Sequence, residues 1–340
     1  MTKVYFKRFK NMDNPNEINT SVFNMLKKLV SEEKIEFPSH VPLKVHFGEE
    51  GNTTFIKPTF YEGIRKYLKE AEINSSYIET NVLYKGARTF EKEHIELAKK
   101  HGFDDLDVII ADGNEDNPYE EITVNLKHYE KCKIGTKFKD FSHLIVISHF
   151  KGHPIAGFGG AIKQLAMGCA ARGGKLDQHS DTIPILDQNK CVSCGICVEK
   201  CPVDAIEIKE KALINPKICV GCAACTVICP VDAISNSWFG TNFQEKLAEY
   251  AFAAQLNKTN IYINYVFNIT DDCDCVGDKM EIIAPDVGIF LSTNPVAIDH
   301  ASLTELRSIS DQNIFPDGDK IFTYAKEINL GTTNYELIEL

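Results

Sequence analysis

HLIVISHFKGHPIAGFGGAIKQLAMGCAARGGKLDQH, residues 143–179, decides how the rest of the chain is read. Its first eight residues are a short β-branched apolar run of the kind buried on both faces of a sheet; a glycine-rich turn and an apolar helical stretch follow. The same alternation extends to either side. VYFKRF (4–9), VPLKVHFG (41–48), SYIETNVL (76–83), LDVIIADG (106–113) and ITVNLKHY (122–129) read as strands, with NTSVFNMLKKLVSEEKI, FYEGIRKYLKEAEI and EKEHIELAKKHGF as helices among them. Downstream, NFQEKLAEYAFAAQLNK (242–258) and NPVAIDHASLTELRSI read as helices, INYVFNI (263–269) and VGIFLS (287–292) as strands, and FTYAKEINL as a last helix. Short strands alternating with helices predict an α/β fold whose mostly parallel sheet carries helices on both faces.

A glycine turn between a strand and a helix lies where open α/β sheets bind ligands. His149, Lys151, His153, Lys163, Arg172, Lys175 and His179 all fall within this stretch. Amides of Gly157, Gly159 and Gly160 could cradle an anion, and His149, Lys151 and the other cations could neutralise it, so a phosphate or carboxylate ligand fits. An additional metal ion or an anionic cofactor near residues 149–179 is the corresponding expectation. The glycines match neither the dinucleotide fingerprint nor a phosphate loop, so no nucleotide is implied.

The chain has 340 residues, 44% of them hydrophobic and 25% charged, an ordinary globular balance. Its 48 acidic and 37 basic residues leave a net charge of −11, which argues against nucleic acid or an anionic membrane as partner. A small anionic ligand or a protein partner is expected instead. No apolar run approaches the roughly 20 residues that span a bilayer. Twelve cysteines, eight of them in two tight runs, suggest reduced thiolates and a cytoplasmic location.

Those runs are DQNKCVSCGICVEKCPVDAI (187–206) and ALINPKICVGCAACTVICPVDAI (212–234), the second repeating the first at an offset of 28 residues. Each reads C-x2-C-x2-C-x3-C-P, which resembles the two-cluster bacterial ferredoxins and implies two 4Fe-4S clusters. In that pattern the fourth cysteine of each run crosses to the other cluster. Cys191, Cys194, Cys197 and Cys229 would hold one cluster, and Cys219, Cys222, Cys225 and Cys201 the other. Zinc knuckles do not ask for three cysteines so closely spaced. The expected division is an α/β body over 1–185, a ferredoxin module over 186–235 inserted into it, and the second part of the body over 236–340.

KVHFGEEGNTTFIKP (44–58), the 148–175 segment, Cys273-Asp274-Cys275 and APDVGIFLSTNPVAIDHAS (284–302) together resemble the family known as domain of unknown function 362, which implies an α/β fold and iron–sulfur content. Within it, H-x3-G-x-G-G-x2-K from His153 to Lys163, followed by His179, is similar to the nickel-pincer lactate racemase family. That likeness implies His153 and His179 as metal ligands and Lys163 as a cofactor anchor, with catalysis at these three. Cys273 and Cys275 form a C-x-C in an acidic loop and could complete a metal site or act as a redox pair. His46, Glu49 and Glu50 follow a strand and could face the same crevice, with Thr53 or Thr54 capping the next helix. Asp286 and Asp299 read as a helix cap or core hydrogen bond, Cys132 and Cys169 as packing residues, and Trp238 as a packing residue or a shield beside a cluster.

The function that follows is an oxidoreductase or redox accessory protein. An external electron donor or acceptor protein would be connected, through two 4Fe-4S clusters, to a ligand or metal site in the body. A non-catalytic electron carrier and a metal-dependent racemase or isomerase are the alternatives; racemisation needs no net electrons, so the clusters would be idle in it.

Overall fold

The computed structural model describes residues 1–113, 118–237, 240–310 and 313–340. The first part of the chain runs β1 (Thr2–Arg8), α1 (Pro15–Glu33), β2 (Leu43–Lys44), α2 (Glu62–Glu70), β3 (Tyr77–Glu79), α3 (Glu91–Lys100) and β4 (Val108–Ile110). A hairpin of β5 (Tyr119–Thr123) and β6 (Lys131–Gly135), the strand β7 (His143–His149) and a small hairpin of β8 (Lys151–His153) and β9 (Gly157–Gly159) follow. Then come α4 (Ala161–Cys169), α5 (Arg172–His179), β10 (Ile185–Leu186), α6 (Ile196–Glu199), β11 (Ile206–Ile208), β12 (Ala212–Ile214), α7 (Ala224–Ile228) and β13 (Ile234–Ser235). The chain closes with α8 (Phe243–Gln255), β14 (Thr259–Val266), β15 (Gly288–Ser292), α9 (Pro295–Ile309), α10 (Lys320–Glu327) and β16 (Tyr335–Glu339).

Eight strands form one sheet in the order β16-β1-β15-β14-β7-β2-β3-β4, so strands from both ends of the chain share it. All neighbours are parallel except β15, which runs antiparallel to both β1 and β14. The reason is the connection: no helix intervenes between β14 and β15, and only a crossover can return a strand in the parallel sense.

Alternate residues of the central strands enter opposite cores. Leu144 and Val146 of β7 face one apolar layer with α4, α8 and α9, while Ile145 and Ile147 face another with α1 and α2. The period of two along a strand buried on both sides thus produces the three-layer body. Local signals set the helix starts. Asn14 accepts from the Glu17 amide ahead of Pro15, and Asn294 accepts from the Val296 and Ala297 amides ahead of Pro295.

Gly288 opens β15 at φ +146°, and a β-carbon there would lie 2.1 Å from the Lys7 carbonyl oxygen of the adjoining strand. Gly288→Ala should therefore lower stability by about 2 kcal/mol or more, measured by urea titration of the secondary-structure signal; a change below about 0.5 kcal/mol would refute the close approach.

Three expectations are corrected. ITVNLKHY (122–129) is not a strand of the main sheet: its first residues belong to the β5–β6 hairpin and a turn follows. VPLKVHFG contributes only Leu43–Lys44 as regular strand. Past Phe315 the chain forms α10 and also β16, which pairs in parallel with β1.

Between α5 and α8 the two halves of the repeat pair crosswise. β10, which opens the first copy, pairs with β13, which ends the second, through Leu186 opposite Ile234; β12, which opens the second, pairs with β11 of the first through Ile214 opposite Ile206. Left-handed backbone recurs at the 28-residue offset: Ser193 and Gly221, Gly195 and Ala223, Asp204 and Asp232. The two copies therefore share one local conformation, and each fold ends beside the other's beginning.

Candidate functional site

β2, β3, β7 and β14 are mutually parallel, so the loops that follow them open at the same edge of the sheet, where side chains from distant parts of the sequence meet. They enclose a cavity of about 70 Å³ lined by His46, Glu79, Arg88, Ser148, His149, Lys151, Gly159, Gly160, Lys163, Lys175 and Cys273–Cys275, among others.

The loop after β14 is held by charge. The Asp274 carboxylate, 1% exposed, lies 2.9 Å from His149 Nδ1 and 3.0 Å from Lys151 Nζ. Burial alone would raise this carboxyl, but His149 and Lys151 hold it far below the usual range. His149 Nε2 faces the Phe267 carbonyl oxygen at 2.7 Å, so both ring nitrogens of His149 are engaged. The Asp274 carbonyl accepts from the Glu49 amide, tying this loop to the one after β2.

A second network closes the other wall. The Arg88 guanidinium, 1% exposed, donates through Nε and Nη2 to Glu49 Oε2 at 3.1 and 2.9 Å, and through Nη2 to the Tyr84 hydroxyl. Its Nη1 lies 2.9 Å from His46 Nε2, which is also 3.5 Å from Cys275 Sγ. Lys44 and Glu79 form a buried pair at 2.9 Å, and Lys175 donates to the Ala170 carbonyl and the Thr80 hydroxyl. Burial lowers Lys175 to about 8 despite Asp112 and Glu79 nearby. Lys163 is different. Burial pushes its ammonium down, the charges of Cys273, Cys275, Asp274 and Asp272 push it up by more, and no hydrogen bond or ion pair occupies it among the described residues.

Of the three glycines expected to cradle an anion, Gly157 and Gly159 belong to the β8–β9 hairpin. The amides of Ala161 and Ile162 that follow, at the start of α4, donate to Asp299, at 2.7 and 2.9 Å, so the protein's own carboxylate occupies this helix start. Gly160 makes room for it, since a β-carbon there would lie 2.3 Å from Asp299 Oδ1. Gly157, at φ +84°, serves the β8–β9 hairpin against Gly318 and is not in the cavity wall; Gly159 is, where it lets Lys151 and Lys163 pass overhead. His153 and His179 also lie outside the lining, both against the Phe243 ring, with centroids at 5.8 and 4.9 Å. His153 Nδ1 accepts from the amides of Ile155 and Ala156. Burial depresses both histidines, His179 to about 4, with Lys163 adding to the effect.

The loop after β2 does face the crevice, but neither Thr53 nor Thr54 caps a helix. Asn52 organises that loop, accepting from the Thr54 and Phe55 amides and donating to the Val276 carbonyl. Asp286 accepts from the Asn268 amide at 2.8 Å, a half-buried hydrogen bond and not a helix cap. Trp238 lies outside the described residues. Lys44, Glu79 and Arg88 were not singled out from sequence, although a charge inside each of the runs VPLKVHFG and SYIETNVL is the signal that such residues must find partners.

The repeat forms two further cavities. Cys191, Cys194, Cys197 and Cys229 line one with apolar neighbours such as Leu186 and Ile234; Cys201, Cys219, Cys222 and Cys225 line the other. Backbone amides point at the fourth sulfur of each run, Ala205 to Cys201 at 3.2 Å and Ala233 to Cys229 at 3.3 Å, again 28 residues apart. Burial raises Cys225 to about 12, with the neighbouring thiols adding to it, while backbone amides lower Cys191. Among the described residues no three His, Cys, Asp or Glu side chains converge on a single metal-ion position, Cys273 and Cys275 included. A cluster is held differently, by thiolates spread around a cage of several atoms.

The second of these cavities adjoins the body. A β-carbon on Gly173 of α5 would lie 3.1 Å from the Gly221 carbonyl oxygen and 3.2 Å from Cys222 Cα, and Lys133 donates to the Val220 carbonyl. Lys175, two residues along the same helix, lines the crevice at the sheet edge. Lys85 fastens the other run through the Cys229 carbonyl and the Asp232 carboxylate.

Among the described residues no helix is long and apolar enough to cross a membrane. No curated protein matches the chain. Among solved structures it is similar to a structural-genomics target from Thermotoga maritima, at 10% identity and a TM-score of 0.42, over 91% of this chain and 59% of that one. It is also similar to the lactate racemase apoprotein from Thermoanaerobacterium thermosaccharolyticum, at 13% identity and a TM-score of 0.36, over 78% of this chain and 50% of that one. The chain thus spans between half and three-fifths of the length of these two solved proteins. Residues 41–304, more than three-quarters of the chain, match the family described as Domain of unknown function (DUF362), and the chain belongs to that family.

Proposed function

We propose that this chain is an iron–sulfur electron-transfer protein in which residues 186–235 carry two 4Fe-4S clusters and the α/β body, 1–185 and 236–340, holds the site they serve. The observation that carries the reading is the partition of eight cysteines into two cavities, each lined by three cysteines of one run and the fourth of the other. The crosswise strand pairing explains the exchange, because it sets the end of each copy beside the start of its twin. Bound there, the clusters would accept and release single electrons. The chain's own contribution is the thiolate sets, the amides aimed at Cys201 and Cys229, and the apolar neighbours that limit water.

A direction of transfer is also supported. The set containing Cys222 abuts α5, which reaches the crevice, and the set containing Cys191 lies beneath exposed Val192 and Val231. An external one-electron carrier protein would dock on that outer side.

Anaerobically purified protein should contain about eight irons and show a low-potential paramagnetic signal on reduction. The variant Cys191→Ala/Cys229→Ala separates crossed from uncrossed ligation. Crossed ligation predicts that about four irons remain, since both changes strike the same centre; loss of nearly all iron would mean that each run serves its own. Wild-type protein with fewer than about two irons would overturn the reading.

A further inference from the structure

The remaining four cysteines fall into two groups. Cys132 and Cys169 are single and buried among apolar side chains; burial raises both thiols, Cys169 to about 12, and neither has a second sulfur to meet. Cys273 and Cys275 share one tight turn, closed by the Val276 amide donating to the Cys273 carbonyl, and the Cys275 amide points at Cys273 Sγ at 3.4 Å. The turn is pinned by Asp274 to His149 and Lys151 on one side and by Asn52 to Val276 on the other.

Two cations serve this pair. The Arg88 guanidinium lies directly behind His46, whose Nε2 stands 3.5 Å from Cys275 Sγ and whose own protonation is disfavoured by burial and by Arg88, and the unpartnered Lys163 ammonium faces both sulfurs across the cavity. Such surroundings favour thiolate, the reactive form of cysteine. A hydrogen bond from Cys273 lowers Cys275 well below the ordinary thiol range, with His46 and Arg88 adding to it against burial, while Cys273 is raised as the donor. The cavity holds about 70 Å³, well below the ~300 Å³ at which small-molecule sites begin, so a bulky disulfide partner cannot enter. Electrons can.

We propose that Cys273 and Cys275 are a redox-active dithiol, which closes to an intramolecular disulfide by passing two electrons, one at a time, to oxidised one-electron iron–sulfur acceptors. In the forward step the Cys273 S–H bond is lost, one S–S bond forms, the Cys273 proton is released and two electrons leave; reduction reverses each term. The inference rests on the proposed iron–sulfur function for where the electrons go. It gives the crevice a defined chemistry, a two-electron store at the inner end of a one-electron path.

The test uses the full chain, purified anaerobically and poised at increasing potentials with small one-electron dye mediators, alkylated with N-ethylmaleimide and digested with trypsin, with iron measured on the same sample. The Thr259–Lys279 peptide should pass from doubly alkylated to unalkylated and two hydrogens lighter, the doubly alkylated form falling at least ten-fold and no singly alkylated form accumulating. Lys163→Met should slow alkylation of this peptide at neutral pH several-fold without removing iron, whereas a merely structural lysine would leave that rate unmoved. A peptide that stays doubly alkylated throughout, or loses its thiols one at a time, overturns the inference. If that happens with about eight irons bound, the iron–sulfur reading stands without it. A peptide that closes in a chain free of iron leaves the dithiol standing and removes the iron–sulfur reading.

Discussion

Asp299→Ala is expected to lower the free energy of unfolding by about 3–5 kcal/mol, read as a shift of the urea midpoint at constant slope. The side chain is fully buried and does three things at once. It accepts from the Ala161 and Ile162 amides at the start of α4 and from Asn264 Nδ2 of β14 at 2.8 Å. Alanine would leave two helix amides without partners in an apolar layer, each costing about 1–3 kcal/mol, while Asn264 Nδ2 would keep only Ser302 Oγ, at 3.1 Å. Because α4 carries Lys163 and Gln164 into the crevice, the loss should also loosen the site. A change under about 1 kcal/mol would show that the helix start does not depend on this carboxylate.

The same residue makes a pH prediction. Burial raises the Asp299 carboxyl to about 6, the three hydrogen bonds opposing without cancelling it. A carboxyl higher in the folded than in the unfolded chain favours folding most when protonated. Its contribution is therefore fully present below about pH 4, declines as the pH rises towards 6, and is constant above that. The difference in stability between wild type and Asp299→Asn should shift against the wild type by up to about 3 kcal/mol over that window. A flat difference would mean that the carboxyl is not raised.

Asp274→Asn is the second large effect. Asparagine keeps the size of the side chain and removes the charge that holds both His149 and Lys151, so a buried ammonium is left without its counterion. Breaking a buried pair in this way costs about 3–5 kcal/mol. The cause is tested by a double change. Asp274→Asn/Lys151→Met removes the stranded charge as well, and should recover about half of the lost stability, a coupling that denaturation of the four proteins of the cycle measures directly. Strict additivity would mean that the two side chains act independently. Since Asp274 lies between Cys273 and Cys275, the single variant should also raise cysteine alkylation by disordering the turn.

How much of this was legible follows from which interactions are local. The run HLIVISHF announces a strand buried on both faces because every residue between its two histidines is apolar or small, and alternate members do enter opposite cores. The cysteine spacing, the repeat at 28 residues and the helix-opening Asn-Pro pairs are likewise written within a few residues of one another. What occupies the start of α4, just after the glycine turn, was not legible for a non-local reason: Asp299, 139 residues beyond Gly160, accepts from the Ala161 and Ile162 amides. His153 and His179, paired as metal ligands by the racemase resemblance, do come together, both against the Phe243 ring, but neither lines the cavity. Arg88 gave no local signal, because its partners Glu49 and His46 lie about forty residues upstream.

The amino-acid sequence by itself determined most of the elements and their class, since strand and helix periodicity, caps and cysteine spacing act over one or two turns of chain. Only the tertiary structure decided which loops share a crevice. The order β14-β7-β2-β3 brings residues 44–49, 79–88, 148–163 and 273–275 to one sheet edge, and strand order is settled by packing among segments a hundred or more residues apart. For the same reason the C-x-C pair acquired its charged surroundings only in the folded chain: the His46 ring and the Arg88 and Lys163 cations reach it from three separate loops and helices, where no spacing rule connects them.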